Sequence, residues 1–159
     1  MTKILLSLHV LAAIIAIGPV TVAASMFPPA ARRAVVPAGA GGGTDAGDVG
    51  TVRLLHRICR VYAGLGIAVP VLGFATAAAM GVLGDAWLIT SIALTAAAAG
   101  LLIAFVLPRQ EELLEQLTDR QPVERARTAR LAMFTGLFNL LWATVTVLMI
   151  VRPGSTTGA

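Results

Sequence analysis

The sequence predicts an all-α integral membrane protein, a four-helix bundle forming a single domain over residues 1–159. Three observations predict it. The chain is 57% hydrophobic and only 13% charged, about half the roughly 25% charge of a soluble domain. Its apolar residues are concentrated in runs near or above the ~20 residues that cross a hydrocarbon core of about 30 Å. The charged residues gather between those runs, and the mean hydropathy is +0.86.

The first predicted span covers residues 4–27 and ends at Phe27-Pro28-Pro29, because proline cannot continue a helix. Residues 28–52, containing GAGGG, read as a flexible loop. They are not a phosphate loop, since no strand precedes the glycines and no Gly-Lys-Ser/Thr follows. The second span covers residues 57–83, and a tight turn at Gly84-Asp85 leads to the third, residues 86–107. Helical spacing at Leu113, Leu114 and Leu117 then predicts an α-hairpin extending beyond the membrane between spans three and four. Across it Glu111, Glu112 and Glu115 would face Arg125, Arg127 and Arg130. The fourth span covers residues 130–151 and stops before Arg152-Pro153-Gly154.

Arginine supplies all but one of the 12 basic residues. Arg53, Arg57 and Arg60 flank one predicted loop; Arg125, Arg127 and Arg130 flank the other. The excess of positive charge predicts that both loops are cytoplasmic and both termini outside. These arginines read as topology signals and lipid-headgroup contacts rather than a nucleic-acid surface, despite a formal charge of +4. Lys3, the apolar run and VAAS at 22–25 also resemble a secretory signal, but the run exceeds the usual 7–15-residue core. Multi-pass insertion in a bacterial inner membrane is the expected location.

Helices do not associate in lipid through the hydrophobic effect, so close packing of small residues is expected where they meet. Stripes spaced three and four residues apart run through Ala12, Ala16, Pro19 and Ala23; through Gly66, Pro70, Gly73, Ala77 and Met80; through Thr90, Ala93, Ala97, Gly100 and Ala104; and through Ala132, Gly136, Asn139, Ala143 and Thr146. His9 belongs to the first stripe and points into the bundle on this reading. A neutral His9 would hydrogen-bond a threonine or a backbone carbonyl and set helix register. Alternatively His9, with Met80, would ligate haem iron or copper. A proton path would need several ionisable groups through the membrane, and no Asp, Glu, Lys or Arg lies deep in any span; a small transporter, a further alternative, would need a polar pore lining. Nor is there a carboxylate pair or Ser/His/Asp set for hydrolysis. The single Cys59 and the absence of a Cys/His cluster predict no zinc site. His56 is expected on a solvated basic face, Trp87 as an interfacial anchor and Trp142 as a packing residue.

The stretch LLSLHVLAAIIAIGPVTVAASMF, with Leu8-His9 early and Gly18 later, resembles a family of small, uncharacterised bacterial four-helix membrane proteins. It is more distantly similar to membrane proteins of copper handling and haem biosynthesis, which also open on a helix bearing an early histidine. Their further signature histidines and charges are absent here. In architecture it resembles accessory subunits of respiratory supercomplexes. The expectation is therefore a non-enzymatic accessory subunit or assembly factor, with membrane lipids and other integral-membrane subunits as partners.

Overall fold

The first helix of the computed structural model, α1 (Thr2–Arg33), continues through Pro19, Pro28 and Pro29. Residues 2–34, 45–121 and 123–154 are described in this structure. The expected stop at Phe27 is therefore corrected: the helix gains six more residues. An interior proline costs about 3 kcal/mol, and burial of Phe27, Pro28 and Ala31 in the core offsets it. The predicted loop 28–52 shrinks accordingly. Its first six residues close α1, and α2 begins at Asp45. The GAGGG stretch lies outside the described residues.

The second predicted span is two helices, α2 (Asp45–Leu65) and α3 (Ala68–Met80). Pro70 is the cause. It lacks the N–H that would bond the Gly66 carbonyl four residues back. That carbonyl instead accepts from Val69 N at 3.1 Å, while Ile67 N donates to Gly64 O at 3.2 Å. The ladder tightens by one residue and breaks at Gly66-Ile67. α3 stops at Met80, before the expected 83, because Gly81 adopts φ +70° and its neighbour Val82 N donates back to Ala77 O. A left-handed glycine of this kind terminates a helix.

α4 (Ala86–Leu101) and α5 (Leu107–Thr118) join through a π-helical turn at Leu102–Val106. Pro108 follows that turn. The wider register, with Leu107 N donating to Leu102 O, absorbs the missing donor and ring of the proline without ending the helix. Helix therefore continues eleven residues past the expected end of the span at 107, through the segment where the leucine spacing predicted it. The chain turns after Thr118 and enters α6 (Arg125–Val151). At the turn, Gln121 N donates to Gln116 O and Arg120 N to Leu117 O. Arg120 occupies the left-handed cap position at φ +54°, where glycine is the usual residue. Arg120→Gly is expected to raise stability by about 0.5–1 kcal/mol, visible as a higher unfolding midpoint in detergent.

All described elements are helical, and four helical stretches are long and apolar enough to cross a membrane: 2–33, 48–80, 86–118 and 125–151. α1 packs on α2 and α3 along one side and on α6 along another; α4 packs on α6. The main core gathers Phe27, Val52, Cys59, Val106, Leu113, Leu131 and Phe138 towards the end that carries Arg109. At the other end a small cluster of Ala77, Trp87 and Leu88 holds α3 against α4. Between them the helices part.

Candidate functional site

Parting of the helices leaves an open groove of about 1560 Å³ among α1, α3, α4 and α6. Its walls are apolar: Ile14 and Ile17 from α1, Gly73 and Ala77 from α3, Ile92 and Ala96 from α4, Val145 and Met149 from α6. His9 lines it and is 8% exposed. The imidazole lies on α3 because Gly73 has no side chain. A Cβ at residue 73 would sit 3.0 Å from His9 Cε1. The bare backbone there also opens the Val69 carbonyl, four residues earlier, to the ring. His9 Nδ1 meets Val69 O at 3.0 Å. A carbonyl only accepts, so Nδ1 donates, and in the neutral imidazole the lone pair is then on Nε2.

Met80 lines the same groove. It lies seven residues beyond Gly73, about 10 Å along the α3 axis. His9 and Met80 therefore share a wall but stand about two turns apart. The Trp142 indole N–H, also at the groove, is buried without a hydrogen-bond partner. Trp87 donates instead to Asp85 Oδ2 at 2.9 Å and carries the Arg152 guanidinium 5.7 Å above its ring.

The other expected polar seam residues are dispersed. Asn139 donates to Ser25 Oγ at 3.0 Å, joining α6 to α1. Thr90 and Thr146 are exposed and bond their own helices, at Ala86 O and Trp142 O. Gly66 sits at the α2–α3 break. Gly100 and Gly136 face open space, with no atom within 4 Å of a Cβ added at either. On α4 the buried residues are Trp87, Leu88, Ser91 and Ala98, and on α6 Thr128, Leu131, Thr135, Phe138 and Val145. Both helices are thus rotated from the face that small residues alone would select.

A second polar group, not foreseen from the sequence, joins α2 to α5. Gln110 is fully buried, and its Oε1 lies 3.3 Å from His56 Nδ1 while its Nε2 donates to Cys59 Sγ at 3.6 Å. The amide's direction makes His56 the donor. His56 is 7% exposed, not on a solvated basic face as its arginine neighbours suggested. Gln110→Ala is expected to cost about 1–3 kcal/mol by leaving a buried donor unmet, read as a lowered unfolding midpoint.

Among the described residues no group of three His, Cys, Asp or Glu side chains is placed to hold a metal. The expected carboxylate–arginine pairing across α5 and α6 is replaced by a local pair, Arg127 Nε to Glu124 Oε2 at 3.8 Å. Arg53, Arg57, Arg60, Arg125 and Arg130 are exposed. Compared with family models, curated proteins and solved structures, the chain matches none significantly.

Proposed function

We propose that this protein is a non-catalytic accessory subunit of a larger membrane complex, oriented with both termini outside and the α5–α6 turn in the cytoplasm. The observation that carries the reading is the pair of outward, unpartnered small-residue stripes. Ala93, Ala97 and Gly100 on α4 are exposed, as is Ala104 in the π turn that follows, and Ala132, Gly136 and Ala143 are exposed on α6. In lipid, such stripes let another transmembrane helix approach backbone to backbone.

The test follows from the open space at both glycines. A Cβ added at residue 100 or 136 meets no atom within 4 Å and both positions are exposed, so the isolated fold is expected to survive Gly100→Ile and Gly136→Ile. Native gels of mild-detergent membrane extracts should show the wild type in a large species and these variants released from it. A wild type that migrates only as a free small protein overturns the proposal.

One observation favours a second reading, in which His9 ligates haem iron or copper. Histidine ligands commonly donate their other ring nitrogen to a carbonyl, which fixes the tautomer and raises basicity. His9 makes such a bond to Val69 O. The groove exceeds the 300–1,000 Å³ of an ordinary small-molecule site. A visible absorption spectrum and metal analysis of protein purified from native membranes test this. A Soret band or bound copper that disappears in His9→Ala supports it; a colourless, metal-free preparation ends it.

A further inference from the structure

A smaller cavity, about 360 Å³, lies where α5 meets the start of α6. Arg109, Arg127 and Arg130 line it, together with Glu112 and Glu124. The apolar stretch of the α4–α5 helix ends just before Arg109, so the cavity sits where a bilayer would present headgroups.

Arg109 is held in place from the apolar side. Its Cζ stands 4.5 Å from the Phe134 ring centroid and 5.6 Å from that of Phe105, and the two rings stack at 5.1 Å. Stacking fixes the plane of the guanidinium while leaving its N–H edges to seek acceptors. One of its terminal nitrogens, Nη1, is buried with no acceptor. The Arg109 guanidinium lines the cavity with a permanent positive charge, which an anion held there would offset. Glu124 is engaged by Arg127. Three arginines against two carboxylates leave the cavity formally positive. Carboxylates beside the anion suit a ligand that also bears hydroxyl groups, which donate to them.

We propose that this cavity is a binding site for a glycerophosphate group, with Arg109 and Arg130 holding the phosphate oxygens and Glu112 or Glu124 accepting from a headgroup hydroxyl. Arginine suits the phosphate because its planar fork meets two oxygens at once. The group can arrive on a phosphatidylglycerol molecule at the membrane surface or as a soluble glycerophosphate.

Native mass spectrometry of the full chain, released from detergent with each probe in turn, tests the site. Dioleoylphosphatidylglycerol is expected to leave one saturable adduct, and dioleoylglycerol, which lacks the phosphate, none. Glycerol 3-phosphate distinguishes the sources. Displacement of the lipid adduct shows that the phosphate group suffices, and failure to displace it shows that the lipid is the ligand. Arg109→Gln also removes the stack on Phe134, so Arg127→Gln and Arg130→Gln, both at exposed positions, carry the test. Arg130→Gln should weaken the adduct at least tenfold and Arg127→Gln should weaken it too, while Arg57→Gln on α2 leaves it unchanged. Equal retention of dioleoylglycerol, or wild-type retention in both cavity variants, overturns the proposal.

Discussion

Phe27→Ala is expected to destabilise the protein by about 3 kcal/mol, towards the lower end of the 3–5 kcal/mol seen for Phe truncations in cores. Phe27 is fully buried in the main core, with Val20, Ala24, Ala31, Val52, Leu55 and Cys59 as other members. Unfolding within a bilayer or micelle keeps apolar groups out of water, so the transfer part of the usual penalty is small. What remains is the void and the dispersion attraction that its lining forfeits. Ile14→Ala supplies the control, since Ile14 is 64% exposed towards lipid and groove; its cost should stay within about 0.5 kcal/mol. Denaturant titration in mixed micelles measures both. The difference also bears on the shape of α1. A helix that ended at Phe27 would leave this ring at a terminus, and its truncation would cost little more than the control.

The spans were legible in the sequence because length and hydropathy are properties of a single helix. So was the inward face of α1: His9, Ala16 and Ala23 are buried, while Val10, Leu11, Ile14, Ile15 and Val22 are exposed. There the small-residue rule and the structure agree because α1 lies close against α2 and α3. On α4 and α6 the rule selects the wrong face. Leu131 and Phe138 on α6, with Leu102 and Val106 from the π turn after α4, fill the core instead, since bulky side chains gain more dispersion wherever helix separation leaves room for them. Which rule governs depends on helix separation, and that is a property of pairs. The proline effects were legible in kind but not in extent. Pro70 breaks its ladder at Gly66, as its chemistry requires, whereas Pro28, Pro29 and Pro108 are carried by neighbouring packing and a π turn. In the groove, His9 was legible as an inward polar residue bonding a threonine or a backbone carbonyl; which carbonyl was not. The carbonyl at Val69 becomes accessible only because Gly73 happens to lie opposite the ring. The arginine cavity was legible as a basic flank; the stack of Arg109 on Phe134 required the register of two helices.

Gly73→Leu is expected to displace His9 from Val69 O and to cost about 1–3 kcal/mol through overpacking. Even the first added carbon would fall 3.0 Å from His9 Cε1 and 3.4 Å from Nδ1. The ring cannot yield that distance and keep its 3.0 Å bond to the carbonyl. Leucine adds three further carbons, so either the imidazole swings out or α1 and α3 separate. The broken hydrogen bond itself contributes roughly 0.6 kcal/mol, the average for polar contacts between membrane helices. Steric conflict is therefore the larger part, and a double-mutant cycle isolates it. His9→Ala alone should cost little and empties the space in front of residue 73. In that background Gly73→Leu should become much less damaging, with a coupling of about 1–2 kcal/mol between the two sites. Strict additivity of the two changes would mean that the imidazole does not rest on Gly73. It would also remove the geometric reason for assigning the proton to Nδ1, and with it the support for Nε2 as a free ligand.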